Sequence, residues 1–323
     1  MNLFARRVNL KPYQYPQLLG YMKAIRQSYW VVNEFNFTQD IQDFHMSFPE
    51  ERNSIRNAIL AIAQIEVSVK TFWGDLYSHM PKPEIGMVGY SFAESEVRHM
   101  EAYSELLELL GLNAEFERIK DIPAIQGRID YLTKYLAGAK SAEPRDYIIA
   151  LLLFSVFVEN VSLFSQFLIL MSFNRSNNTF KGISNVIQAT SQEEAIHGQF
   201  GMELVNILRN EMPDLFDDEL NATIIAACMK ARRAEMGILD WIFEQGELSF
   251  LPREQIENFM LDRYNKSLQA VGIDPIFPVE EKLLEETRWF DEETTATSHV
   301  DFFYKRPTTY TKHDQSFDVD DLF

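Results

Sequence analysis

Two short stretches pair a carboxylate with an imidazole at the same spacing. ESEVRHMEAY (94–103) holds Glu96 and His99, and QEEAIHGQF (192–200) holds Glu194 and His197. On a helix, residues three apart lie about 60° from each other around the axis and roughly one turn along it, so both side chains can reach one ion. A single such pair is common on solvated helix faces, where a salt-bridged surface explains it. Two pairs in one chain point to a metal site. The natural complement is one inward acid from each of two further helices. Glu66 is the only acid in IRNAILAIAQIEVSVKTFW (55–73), and Glu159 is the only acid in the apolar run 148–173. An unpaired buried charge is costly. Lys70 offers Glu66 a simpler partner, but no basic residue lies near Glu159 in the chain.

Charge balance supports metal. Four carboxylates and two neutral imidazoles match two divalent ions. Oxygen ligands with imidazole suit iron or manganese, and no thiolate is at hand to favour softer ions. The single cysteine, Cys228, also excludes an intramolecular disulfide framework and fits a reducing cytoplasm. Tyr103, four residues after His99, places an oxidisable phenol on the same helix line. An oxygen-rich, buried pair of ions beside a phenol suggests redox chemistry with oxygen species. Hydrolysis would not need such a location.

These residues need long helices to hold them. Helical periodicity dominates the 323 residues and strand alternation is scarce. It predicts helices over about 51–79, 85–111, 125–138, 144–173, 178–211, 217–246, 252–270 and 279–289, divided by prolines such as Pro81, Pro123, Pro144, Pro213 and Pro252. Long helices with short connections indicate an all-α antiparallel bundle with one core. The segment LLLFSVFVENVSLFSQFLILMSF (151–173) is nearly long enough to cross a bilayer. Glu159 and Asn160 interrupt its middle, so a buried helix of a soluble bundle is the expectation, with no membrane. A formal charge of −18 and the lack of a basic stripe argue against nucleic acid as a partner. Residues 291–323 are polar, Thr-rich and aperiodic, ending in FDVDDLF. They read as a flexible tail, either solvated or ordered on a partner.

The ordered set acid, ExxH, Glu, ExxH, with a tyrosine four residues after the first histidine, resembles the small, radical-generating subunit of class I ribonucleotide reductase. The resemblance runs from about Trp30 to the C-terminus. It implies a ferritin-like helical bundle, a homodimer, and a ribonucleoside-diphosphate reductase activity exerted only with a separate large (alpha) catalytic subunit. It implies metal ligation by Glu66, Glu96, His99, Glu159, Glu194 and His197. It places Trp30 as the radical-transfer tryptophan and Glu193 as the acid linking it to the histidine. A tail tyrosine, Tyr310 or else Tyr304, becomes the radical relay, and FDVDDLF the peptide that docks the large subunit. The domain division expected is 1–290 for the dimetal bundle and 291–323 for the tail.

Three residues depart from the tyrosyl-radical members. Glu66 stands where aspartate is commoner, Glu193 stands where aspartate is usual, and Thr190 joins Leu163, Phe167 and Ile187 in the expected pocket around Tyr103. A hydroxyl there would hydrogen-bond Tyr103 and favour its reduced form. The departures resemble the dimanganese subclass Id, in which the tyrosine is not the radical. An Fe/Fe centre with a Tyr103 radical, or a mixed Mn/Fe centre, are the alternatives within the family. Outside it, a stand-alone ferritin-like dimetal oxidase or monooxygenase would use the same ligands but would not need Trp30 or the acidic–aromatic tail. A ferritin-like storage cage would want shorter helices and no relay residues.

Overall fold

Apolar residues on several faces of a long helix require neighbours on several sides, and stacked helices supply them. The computed structural model describes residues 2–304. Its helices are α1 (Leu19–Gln27), α2 (Thr38–Met46), α3 (Pro49–His79), α4 (Pro83–Leu109), α5 (Asn113–Glu117), α6 (Pro123–Leu136), α7 (Pro144–Leu153), α8 (Phe164–Asn177), α9 (Lys181–Glu211), α10 (Asp218–Ile242), α11 (Arg253–Ala270) and α12 (Glu281–Tyr304). Among the described residues there is no strand beyond an isolated Leu248–Leu251 bridge. Prolines open α3, α4, α6 and α7, where the missing N–H costs no intrahelical bond.

The predicted helix over 144–173 is not uniform. Phe154–Ser162, between α7 and α8, is a π-helix, a form that adds a residue per turn and re-aims side chains at functional sites. Residues of α11 hold it. Arg263 donates to the backbone oxygen of Asn160 at 2.7 Å and to its side-chain oxygen at 3.0 Å, and Asn160 donates to Ser267 Oγ at 2.6 Å. The most apolar eighteen-residue stretch of the span Pro144–Asn177 is 89% buried inside the protein, so the span lies in the core of the bundle. Gly201 on α9 lets that helix lie directly on the π segment, because a Cβ there would run into the side chain of Ser155.

Helix α9 begins where two non-glycine residues, Asn178 and Phe180, take positive φ values of 56° and 54°. Two acids of α2 secure this start. Asp43 accepts from the Phe180 N–H at 2.8 Å, and Asp40 accepts from Gly182 at 3.1 Å and Ile183 at 2.8 Å. Those N–H groups have no partner inside the helix. Gly182 is required there, since a Cβ would strike the Asn36 carbonyl. A second buried anchor joins α6 and α10. Arg128 donates to Glu235 at 2.6 and 3.0 Å and to the Ala61 carbonyl of α3 at 2.9 Å.

Helices α1 and α2 were not expected from periodicity. They are nine residues each, too short to show it clearly, and tertiary contacts make them. At the other end α12 continues through the expected boundary at residue 290 to Tyr304. Phe290, fully buried against Phe164 and Phe259, and Thr294, whose hydroxyl bonds back to the Phe290 carbonyl at 2.8 Å, carry the helix on despite the polar sequence. Tyr310 and FDVDDLF lie outside the described residues, as does the side chain of Tyr304.

Candidate metal centre

Four elements deliver the six predicted ligands to one place. Glu66 comes from α3, Glu96 and His99 from α4, Glu159 from the π segment, and Glu194 and His197 from α9. None is more than 1% exposed. A salt-bridged surface is thereby excluded for both ExxH pairs. The ligand atoms fall into two sets of four, Glu66, Glu96, His99 and Glu194 in one and Glu96, Glu159, Glu194 and His197 in the other, each set lying within 4.8 Å of one another. Glu96 and Glu194 belong to both. Two ions held by these sets would share two carboxylates, the arrangement expected of a dinuclear carboxylate centre.

The imidazoles are oriented for ligation. His197 Nε2 lies 3.0 Å from Ser95 Oγ, whose own hydrogen is committed to the Phe92 carbonyl at 2.8 Å. Ser95 therefore accepts from Nε2–H, which leaves Nδ1 as the nitrogen whose lone pair a metal ion would take. That Nδ1 faces Glu96 Oε1 at 3.0 Å, Glu194 Oε2 at 3.3 Å and Glu159 Oε2 at 3.5 Å. His99 repeats the arrangement: Nε2 meets Glu193 Oε2 at 2.9 Å, while Nδ1 faces Glu194 Oε1 at 2.9 Å and Glu96 Oε2 at 3.3 Å.

A dinuclear metal group fits these residues. His99 Nδ1, both oxygens of Glu96, Glu159 Oε2 and Glu194 Oε1 are buried without a properly directed hydrogen bond. Such atoms crowd within contact distance yet aim past one another, as ligand atoms around a common ion do. Burial, then the charge of Glu96 and of Glu194 respectively, push the Glu66 and Glu159 carboxyls well above the usual range. Burial works against the charged form of His99 and His197, but the surrounding carboxylates outweigh it and raise both. A packed set of buried acids and bases with displaced titration marks a functional site. The side chain of Lys70, the simpler partner for Glu66, is not among those described.

Several supporting residues were not foreseen. Trp73 donates its indole N–H to Glu159 Oε1 at 3.2 Å, leaving Oε2 turned toward His197 Nδ1 at 3.5 Å. Ser95 and Arg98 likewise bond to His197 and Glu193. Trp30 is buried and stacks on His99, with centroids 5.8 Å apart and planes 11° from parallel. The expected link through Glu193 needs correction. The indole Nε1 of Trp30 has no hydrogen-bond partner. Glu193 is instead saturated: Oε1 accepts from Arg98 Nη2 and Ser28 Oγ at 3.0 Å each, and Oε2 from Arg98 Nη1 at 3.2 Å as well as His99.

Tyr103 is 1% exposed and beside Glu66. Burial first, and then the Glu66 charge, hold its phenol well above the ordinary range. Leu163, Phe167, Ile187 and Thr190 are likewise fully buried. Thr190 is close enough to act on Tyr103, but the expected hydrogen bond between the hydroxyls is not formed, and both are without a partner.

The family description "Ribonucleotide reductase, small chain" matches residues 7–285. The chain belongs to that family. It is 26% identical over 328 residues to a probable ribonucleoside-diphosphate reductase small subunit of Invertebrate iridescent virus 3, covering 97% of this chain and 86% of that one. Among solved structures it is similar to the dimanganese(II)-NrdF of Streptococcus sanguinis, with a TM-score of 0.74 at 16% identity over 88% of this chain and 100% of that one. It is also similar to an R2-like ligand-binding oxidase reconstituted with a Mn/Fe cofactor, with a TM-score of 0.69 at 17% identity over 80% and 95%. Those two likenesses establish the ferritin-like fold. Family membership supplies the function: a ribonucleoside-diphosphate reductase small subunit, an oxidoreductase component that needs the large subunit for activity.

Proposed function

We propose that Glu66, Glu96, His99, Glu159, Glu194 and His197 hold two manganese ions, as in subclass Id, and that Trp30 passes the oxidising equivalent toward the large subunit. The observation that carries the ligand assignment is the sharing of Glu96 and Glu194 by two tetrads. The bound pair would supply a one-electron oxidant for the partner's chemistry. The protein's part is to exclude water, hold the imidazole lone pairs inward, and give the electron path an aromatic step at Trp30. The all-oxygen-and-imidazole donor set suits manganese or iron, and the choice of manganese is supported by glutamate at position 66 and by Tyr103. With its phenol pushed upward and no base bonded to its hydroxyl, Tyr103 has no ready proton acceptor. It is read as a redox-silent neighbour. Fe/Fe and Mn/Fe loading are the other occupants the same donors accept.

The tail, residues 291–323, is inferred to leave the bundle (1–290) through α12 and to dock the large subunit by FDVDDLF, with Tyr310 or Tyr304 relaying the radical. A homodimer is supported by the exposed apolar side chains Val67 on α3 and Tyr90 and Val97 on α4. A cytoplasmic location is inferred from the lone, buried Cys228. A stand-alone oxidase shares this fold, but the family match over residues 7–285 favours the reductase subunit.

The test is electron paramagnetic resonance of the activated protein with parallel metal analysis. A many-line manganese-coupled signal without a tyrosyl signal is expected. A tyrosyl signal lost in Tyr103→Phe, with iron alone present, would overturn the metal assignment. Trp30→Phe should leave the oxidised centre able to form yet abolish turnover with the large subunit.

A further inference from the structure

Glu159 and His197 belong to the same set of four candidate ligands, and the residues that follow them, Asn160 and Gly198, pack together. A Cβ added at Gly198 would lie 3.3 Å from the Asn160 Cβ. From the other side α11 engages every polar group of Asn160 that a neighbour can reach. Arg263 Nε donates to its backbone oxygen at 2.7 Å, Arg263 Nη2 donates to its Oδ1 at 3.0 Å, and its Nδ2 donates to Ser267 Oγ at 2.6 Å. The remaining nitrogen of the guanidinium, Nη1, reaches Asp291 of α12 at 3.2 Å. The guanidinium carbon lies 3.6 Å from the centre of the Phe164 ring, at the start of α8.

A π-helix is rare and is mostly a single turn set inside an α-helix. Here it runs for nine residues, Phe154–Ser162. On the α9 side it meets Gly198 and Gly201, which allow close packing but carry no side chain to fasten it. The directed hold comes from Arg263. Two parallel N–H bonds from a planar fork fix both the place and the rotation of Asn160, one residue from Glu159. If the segment relaxed toward α geometry, its period would change and the Glu159 carboxylate would swing around the helix axis.

We propose that Arg263 is a positioning residue for the ligand set that contains Glu159: acting through Asn160, it holds the π segment at the rotation that brings the Glu159 carboxylate to His197. The inference rests on the ligand reading above. Its effect is confined to the set of Glu96, Glu159, Glu194 and His197, because Glu66 and His99 come from α3 and α4. The tie to α12 is a separate matter. The Asp291 side chain is 38% exposed, where an ion pair contributes little.

The test uses the full chain in two forms. In the metal-depleted protein, amide hydrogen exchange over residues 154–162 should quicken about tenfold or more in Arg263→Met, the scale of one lost charge-assisted hydrogen bond. Exchange at the start of α9, over residues 180–183, should not change. In an anaerobic manganese(II) titration, Arg263→Met should weaken one of two binding steps ~10–100-fold, the usual effect of losing an outer partner of a ligand. The other step should stay at the wild-type value, which also shows that the bundle has folded. Arg263→Lys keeps the charge without the fork and should fall between, and Asp291→Ala should match the wild type. Adding Asn160→Ala to Arg263→Met should cost little more than Arg263→Met alone, since the two residues act as one unit. Unchanged exchange in Arg263→Met, equal weakening of both steps, weakening of neither, or a loss in Asp291→Ala as large as in Arg263→Met would overturn the proposal. A wild-type chain that takes up fewer than two manganese ions would instead sink the ligand reading, and the exchange measurement would still decide whether Arg263 holds the segment.

Discussion

Replacing Ser95 by alanine should weaken one metal position and spare the other. Ser95 is fully buried, and its hydroxyl lies 3.0 Å from His197 Nε2. Without it, the Nε2–H is a buried donor with no acceptor, at a cost of about 1–3 kcal/mol. The imidazole can relieve that cost by moving its proton to Nδ1, which removes the lone pair that faces Glu96, Glu159 and Glu194. Loss of an outer partner of a ligating histidine typically lowers metal affinity ~10–100-fold, or about 1.4–2.8 kcal/mol. His99 keeps its own partner, Glu193, so the position built from Glu66 and His99 should hold near wild-type affinity. The assay is an anaerobic manganese(II) titration followed by the resonance of the free ion, which resolves two binding steps. One step should match the wild type and the other should shift by the stated factor. Ser95→Thr should restore it, since the hydroxyl returns. Equal weakening of both steps, or none of either, would refute the tautomer argument.

Three further outcomes follow from the packing. Glu235→Gln should lower the unfolding free energy by about 3–5 kcal/mol in denaturant titration, because it strands the buried Arg128 charge; an apolar replacement of both partners should recover much of the loss. Gly201→Ala should cost about 1–3 kcal/mol by overpacking against Ser155 and should lower metal occupancy by pushing α9 from the π segment; undiminished occupancy at normal stability would show that the close approach is not needed. Burial pushes the Cys228 thiol up to about 12. Near pH 8 only about one thiol in ten thousand is then ionised, and the thiolate is the reactive form. A disulfide reagent should therefore label the folded protein only at the rate of unfolding, and rapid labelling would contradict the buried placement on α10.

The ligands were legible because each signals locally. An ExxH repeat marks one helix face, and a lone acid in an apolar run, such as Glu66 or Glu159, has no bland reason to be there. The residues that orient them were not, because their partners are distant in sequence. Trp73 meets Glu159 across 86 residues, Ser95 meets His197 across 102, and Arg98 meets Glu193 across 95. Nothing at position 98 distinguishes an inward arginine from the outward one that an ordinary amphipathic helix would carry. The π segment was hidden for another reason: apart from Ser155 and Ser162 its residues are apolar around Glu159 and Asn160, so the change of period leaves no continuous polar stripe to reveal it. Periodicity also ended α12 too early, since it cannot register the tertiary docking of Phe290 and Thr294. The expected Trp30–Glu193 bond is not formed, and that carboxylate is held instead by Arg98, Ser28 and His99.

The central claim is that Glu96 and Glu194 are shared by two ions. Anomalous diffraction from crystals of the manganese-loaded chain tests it most directly. The account predicts two peaks per chain, one beside Glu66 and His99 and one beside Glu159 and His197, with Glu96 and Glu194 contacting both. A single peak, or two peaks with no carboxylate in common, would contradict it.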